Sequence, residues 1–267
     1  MSSTSDSFTA LGFCGADDSV DPQFLGILSQ AYPFIEFGVL FRPDKEGSPR
    51  FASPAWVEEL KAVARKSNGR MKLAAHLCGT RVNDILQRGD ASFLKSLDGF
   101  FGRCQINATA VNGVDTSDLS GSVPNLLTVI ETLPNIEFII QKNEETTPLW
   151  SGLLSSHGGL PSNVTFLLDE SKGTGVFSGG WDKSMLPVSY AQSKIGFAGG
   201  IGPSNIQTVM KGLSSCNLEI SYWIDMESSL RSIKNDVDVF DLDKCFKCIK
   251  KIISMKFFEH PEYVSLP

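Results

Sequence analysis

Eight short apolar runs rich in strand-forming residues recur along this chain, each followed by a turn and then a stretch with helical spacing. They are Phe8–Cys14, Phe34–Phe41, Lys72–Cys78, Gly102–Ala108, Ile136–Gln141, Val164–Asp169, Lys194–Ala198 and Glu219–Asp225. Parallel neighbours need crossover connections, so strands that alternate with helices build a parallel sheet. Spread over 267 residues, the repeats average about 33 residues, and eight of them close most economically into a (β/α)8 TIM barrel, a fold of about 250 residues. A doubly wound open sheet is the alternative. It is second choice because no G-x-G-x-x-G follows the first run and no Pro/Gly/Ser-rich linker divides the chain. The expectation is an α/β chain with one barrel domain over residues 1–267, the polar Met1–Ser7 forming a flexible tail.

Local signals place several helices. Ser53-Pro54 ahead of WVEELKAVARK sets a capping residue before a first-turn proline, and a second helix opens after Pro203 and is expected to end at Lys211-Gly212. Asn107–Asn125 is long and polar and reads as an extended loop after strand four, and Ser156–Asn163 as an ordinary helix-to-strand connection. Cys245 and Cys248 lie inside FDLDKCFKCIKKI, which has the spacing of a last amphipathic helix. A redox C-x-x-C stands at a helix N-terminus, where the dipole lowers a thiol pKa, so these two read as packed thiols.

Charge narrows the partners. Thirty acidic residues against 24 basic ones leave a net charge of −6, the wrong sign for a phosphate-backbone binder, so nucleic acid is not expected. The N-terminus carries neither a basic n-region nor an apolar h-region, and no uncharged apolar stretch of about 18 residues occurs. A membrane span is not expected, and the default compartment is the cytosol. There the six cysteines read as thiols rather than a disulfide framework, and the sequons at Asn107 and Asn163 carry no meaning.

In a barrel the chemistry lies at the C-terminal ends of the strands. Here those ends are unusually polar: Cys14-Gly15 after run one, His76-Leu-Cys78-Gly79 after three, Gln105-Ile-Asn107 after four, Gln141-Lys-Asn143 after five, Asp169-Glu-Ser171 after six, and Asp225-Met-Glu227 after eight. Period-two alternation pairs His76 with Cys78, Gln105 with Asn107, and Asp225 with Glu227 on common faces. Any one of these could simply mark where a strand meets water. Six in register point to a shared site, because a buried unpaired polar group costs about 1–3 kcal/mol. Gly199-Gly200-Ile201-Gly202 closes run seven ahead of a helix, where barrels often bind phosphate, and Arg231 after run eight could add a cation or serve as an ion-pair partner. His76, Cys78, Asp169 and Glu227 are all metal-ligand types, but the spacing is not that of a metal motif. No metal and no other cofactor is expected.

With these residues in place the chain resembles the phosphoribosylanthranilate isomerase family of (β/α)8 enzymes. Phe13-Cys14-Gly15 looks like the family's first-strand I-C-G, and Gly47-Ser-Pro-Arg50-Phe-Ala-Ser53-Pro54 like its S-x-R-x-I-S-P loop. Leu167-Leu168-Asp169 with Gly173-Thr-Gly175 and Trp181 is similar to its L-L-D, G-G-T-G and D-W run, and Ala198-Gly199-Gly200-Ile201-x-Pro203-x-Asn205 to its phosphate loop. The departures are Gly12 where the family has lysine, Asn107 where strand four carries its histidine, and Asp225-Met-Glu-Ser-Ser-Leu-Arg231 in place of D-V-S-S-G-V-E. They mark a divergent branch.

The resemblance implies an Amadori-type aldose-to-ketose rearrangement of a phosphorylated aminosugar. Asp169 would act as general acid on the ring oxygen and Cys14, as thiolate, as base at C2. Gly173, Gly175, Gly199 and Gly200 would hold the phosphate and Arg50 a carboxylate. Two other readings stand beside it. One uses His76 and Glu227 as the acid/base pair for another sugar-phosphate isomerase, epimerase or lyase. The other is a barrel that binds a phosphometabolite without catalysis. In each reading Gln105, Asn107, Gln141, Asp225 and Arg231 are binding candidates, the partner is a small phosphorylated anion, and the chain is a monomer or homodimer.

Overall fold

Every one of the eight apolar runs forms a strand. They are β1 (Phe8–Cys14), β2 (Ile35–Phe41), β3 (Lys72–Leu77), β4 (Arg103–Ile106), β5 (Glu137–Lys142), β6 (Val164–Asp169), β7 (Ile195–Ala198) and β8 (Tyr222–Met226). The structure, a computed structural model, describes residues 8–169, 194–216 and 220–258. Each strand pairs in parallel with the next, and β8 returns to β1, Phe13 lying beside Met226, so the sheet closes into the eight-stranded barrel. Gly173, Gly175 and Trp181 lie outside the described residues.

The helices follow their local signals. In α2 (Pro54–Lys66) the Ser53 hydroxyl accepts the Trp56 N–H at 3.2 Å, satisfying one of the first-turn donors that a helix leaves orphaned. The face formed by Trp56, Val57, Leu60 and Val63 is buried, each large side chain contributing roughly 1.5–3 kcal/mol by leaving water. Around the barrel lie α1 (Pro22–Ala31), α3 (Thr80–Arg88), α4 (Ser92–Leu97), α5 (Val123–Thr132) and α6 (Thr147–Leu154), followed later in the chain by α7 (Ile206–Ser215). Helix α7 runs past the expected stop at Gly212. Leu213 continues the buried stripe of Ile206, Val209 and Met210, and that burial outweighs a glycine cost of about 1 kcal/mol. The loop expected over 107–125 holds a short 3-10 turn at Ala110–Asn112 before α5 begins. In α8 (Leu242–Ser254) both Cys245 and Cys248 are buried. Among the described residues no helix is long and apolar enough to cross a membrane.

One element escapes the periodic reading. After β8 the chain folds into an antiparallel hairpin, β9 (Arg231–Lys234) with β10 (Val237–Phe240). Its two turn residues, Asn235 and Asp236, both have positive φ, 50° and 64°, the geometry of a two-residue type I′ turn, which Asn and Asp tolerate. That dipeptide between alternating residues is the available signal.

The barrel interior is layered, as contacts across the ring show. At the N-terminal end Arg103 of β4 donates to Glu36 of β2 at 2.9 Å and to Glu137 of β5 at 3.0 Å, while Lys194 and Thr165 also reach Glu137. The Arg103 guanidinium lies 3.9 Å from the ring of Trp223 on β8, diametrically opposite. Ala10, Ile139, Leu167 and Trp223 make an apolar layer, and Gly196 is obligatory there, since a Cβ would overlap the Trp223 ring. Above that layer the inward side chains become polar again.

Candidate active site

At the C-terminal mouth lies a cavity of about 280 Å³ lined by the ends of the strands and the loops that follow them. Its size suits a small metabolite. Of the residues singled out in the sequence, Cys14, Arg50, His76, Gln105, Asn107, Gln141, Asp169, Gly199, Gly200, Asp225 and Glu227 all line it.

The floor is a three-residue cluster from β1, β3 and β8. The Cys14 thiol donates to Asp225 Oδ1 at 2.6 Å, Cys14 Sγ lies 3.5 Å from His76 Nε2, and His76 Nε2 lies 4.0 Å from Asp225 Oδ2. Sequence spacing pairs His76 with Cys78, but the barrel pairs it with Cys14 instead. Cys78, two residues on, meets Asn107 and Asn112. The pairing across β2 depends on Gly38, whose added Cβ would stand 2.6 Å from Cys14 Sγ and 2.8 Å from His76 Nε2. Gly12 serves the same purpose for Asp225, which a Cβ at that position would overlap. The lysine of the resembled family therefore has no room here; its place is filled by the Asp225 carboxylate.

Electrostatics follow from burial and crowded carboxylates. Burial pushes the Cys14 thiol well up, and Asp225, Glu227 and Glu36 push it further. It is therefore held as a thiol, which speaks against the thiolate base implied by the resemblance. Burial also lowers His76 to about 3, keeping the imidazole neutral, and raises Asp225 to about 7. Glu227, whose side chain is 38% exposed to the pocket, is raised by desolvation, and Asp169 adds to the same effect across the mouth.

On the walls, Gln141 Nε2 donates to Asp169 Oδ2 at 2.7 Å and Gln105 Nε2 to Asn107 Oδ1 at 2.6 Å. The carboxamide oxygens of both glutamines are buried and, among the described residues, have no hydrogen-bond partner. At the β7 corner Gly199 and Gly200 have φ of 106° and 63°, a backbone course that side-chain-bearing residues rarely follow. Asn205 holds this corner, accepting from the Gly202 N–H at 2.8 Å and donating to the Gly200 carbonyl at 2.9 Å. Ser229 donates to the Ile201 carbonyl, so the corner is packed onto the loop after β8.

The cations divide differently from expectation. Arg231 is withdrawn from the pocket. Its guanidinium is buried and donates to Asp238 and Asp17, each at 2.8 Å, and to the Gly15 carbonyl at 2.7 Å. This is the ion-pair reading of Arg231, not the substrate one. Arg50 does line the pocket, braced by Asp238 at 3.2 Å and Glu227 at 3.4 Å. Its backbone has φ 78°, and Asp17 accepts its N–H at 2.6 Å. Two further cations, Arg42 and Lys45, line the same side. Sequence reasoning misses them because the family resemblance draws attention only to the later S-P-R segment of the loop after β2. The signal is FRPDK, basic residues immediately beyond a strand end.

Gly38→Ala tests the floor directly. The backbone there tolerates alanine, so the consequence is overpacking against Cys14 and His76, expected to cost about 1–3 kcal/mol. Thermal unfolding that matched the wild type would show the three side chains are less closely placed.

The fold and the site together define a (β/α)8 barrel with a polar pocket at the mouth where barrel enzymes carry their chemistry. No family model and no curated protein matches the chain. Among solved structures it is similar to phospho-2-dehydro-3-deoxyheptonate aldolase (DAHP synthase) from Thermotoga maritima. The TM-score is 0.54 at 11% identity, over 94% of this chain and 70% of that one. That likeness supports the barrel; it gives no support to the particular isomerase family that the sequence resembles.

Proposed function

We propose that the chain is an enzyme that isomerises a small phosphorylated polyhydroxy substrate, moving a proton between adjacent carbons as in an aldose-to-ketose rearrangement. The observation that carries this reading is the pair of buried acceptors, Gln105 Oε1 and Gln141 Oε1, which have no hydrogen-bond partner among the described residues. Such atoms cost about 1–3 kcal/mol each unless a ligand donates to them. A substrate rich in hydroxyl or amine hydrogens does so.

The rest of the pocket fits the same substrate. The Gly199–Gly200 corner, ahead of the N-terminus of α7, suits a phosphate. Arg50, Arg42 and Lys45 on the other side suit a second anionic group. Asp169, oriented by Gln141, and Glu227, oriented by Arg50, stand on β6 and at the end of β8 as the proton donor and acceptor. This takes the acid from one sequence reading and the base from the other. The floor of Cys14, His76 and Asp225 is then where the reacting oxygen is polarised.

The test is NMR of the full chain in D2O with a panel of aldose phosphates and N-substituted phosphoribosylamines. Deuterium entering at C1 of the newly formed ketose, for at least one substrate, is the expected result. Tight binding across the panel with neither ketose nor incorporated deuterium would overturn the reading in favour of a non-catalytic phosphometabolite binder.

A further inference from the structure

We infer that Cys14, His76 and Asp225 form a binding site for a divalent transition-metal ion of the zinc type, with one coordination position open to the pocket. This deepens the reading above, since the ion would lie where the substrate oxygen must be polarised. Its test uses no substrate, so the two can fail separately.

The geometry fits such an ion. The three donor atoms, a sulfur, an imidazole nitrogen and a carboxylate oxygen, lie within 4.8 Å of one another. Zinc bonds of about 2.0–2.3 Å to such atoms give a tetrahedron whose edges are roughly 3.3–3.6 Å. The Cys14 Sγ to His76 Nε2 separation of 3.5 Å is already such an edge, and His76 Nε2 to Asp225 Oδ2, at 4.0 Å, is slightly longer. Only the Cys14–Asp225 contact, at 2.6 Å, is too short. It is a hydrogen bond through the thiol proton, and an ion that displaces that proton to solvent also removes the reason for the contact.

The scaffold around the three donors fits an ion as well. All three ligands stand on strands, which hold a metal more rigidly than loops do. Two glycines, Gly12 and Gly38, clear the space around them, and any larger residue there would overlap a ligand atom or crowd two. Gln105, directly beside His76 in the β3–β4 register and lining the same pocket, carries a buried oxygen with no partner among the described residues, an acceptor available to a water bound on the ion.

Charge and donor type choose the ion. Glu227 and Glu36 add negative charge to the floor beside Asp225 itself, while the buried cation Arg103 is committed to Glu36 and Glu137. A divalent ion supplies the missing positive charge. Thiolate and imidazole together favour zinc, cobalt or ferrous iron over magnesium or calcium. Three protein ligands with an open fourth position is the arrangement of catalytic rather than structural zinc.

The experiment is titration of the chelator-treated full chain with Co²⁺, followed by absorption, and with Zn²⁺, followed by metal content after dialysis. One ion per chain and a thiolate-to-cobalt charge-transfer band in the near ultraviolet are expected. Cys14→Ser should remove that band, and both Cys14→Ser and His76→Gln should weaken Zn²⁺ binding by about 100-fold or more. Cys216→Ser, far from the floor, should change neither. Thermal melts establish that each variant is folded, and the wild-type titration decides the matter even if one is not. Absence of stoichiometric uptake by the wild type, or uptake that survives both ligand substitutions, would overturn the inference.

Discussion

Asp169→Asn and Glu227→Gln are each expected to lower kcat of the isomerisation by about 10²–10⁴-fold, the usual worth of a positioned general acid or base. Both replacements are isosteric and remove only the ability to exchange a proton. In the first variant Gln141 can still donate to the carboxamide oxygen that takes the place of the carboxylate, so the side chain stays in position and KM should change little. Their combination should cost much less than the product of the two, because a rearrangement that has lost one proton carrier gains little from the other. Steady-state kinetics on the best substrate from the D2O panel would check this. A loss below tenfold in either variant would remove that residue from the proton path.

The second large effect falls at the opposite end of the barrel. Arg103→Met should lower the unfolding free energy by roughly 3–5 kcal/mol, the cost of stranding buried partners of a broken ion pair. The side chains of Arg103 and Glu36 are each only 8% exposed, so water cannot replace the guanidinium, and stacking on Trp223 is lost as well. Denaturant unfolding would measure it, and a loss under about 1 kcal/mol would show that the layer relaxes around methionine. The same network sets an acid limb. Burial pushes Glu137 up, but Arg103 and Lys194 pull it more strongly, to a net value below its ordinary 4.5. A carboxylate depressed in the folded state contributes stability above its unfolded pKa and loses it as pH falls through the folded value. Wild-type stability should therefore decline below about pH 4.5, and the decline should be shallower in Arg103→Met.

Much of this architecture is legible in the chain. The limits of β1 and β6 can be read to the residue, because an apolar run bounded by turn residues is a local signal. Helix α2 announces itself through Ser53 and Pro54. Alternation along each strand brings Cys14, His76, Gln141, Asp169 and Asp225 to one mouth, since side chains two apart share a face. Other features are out of reach of local reading. Arg231 looks like a pocket cation because it follows β8, yet the hairpin it begins turns it onto Asp17, more than two hundred residues away in the chain.

The sequence by itself determined the eight strands, the helices α2 and α8 and the parity of the strand side chains, because periodicity, caps and turns act between near neighbours in the chain. Only the closed barrel decided that His76 meets Cys14 rather than Cys78, that Gly12 and Gly38 leave room for a ligand cluster, and that Arg103 neutralises two glutamates beneath it. Those contacts depend on ring closure and strand stagger, which set which strand ends face one another across the interior.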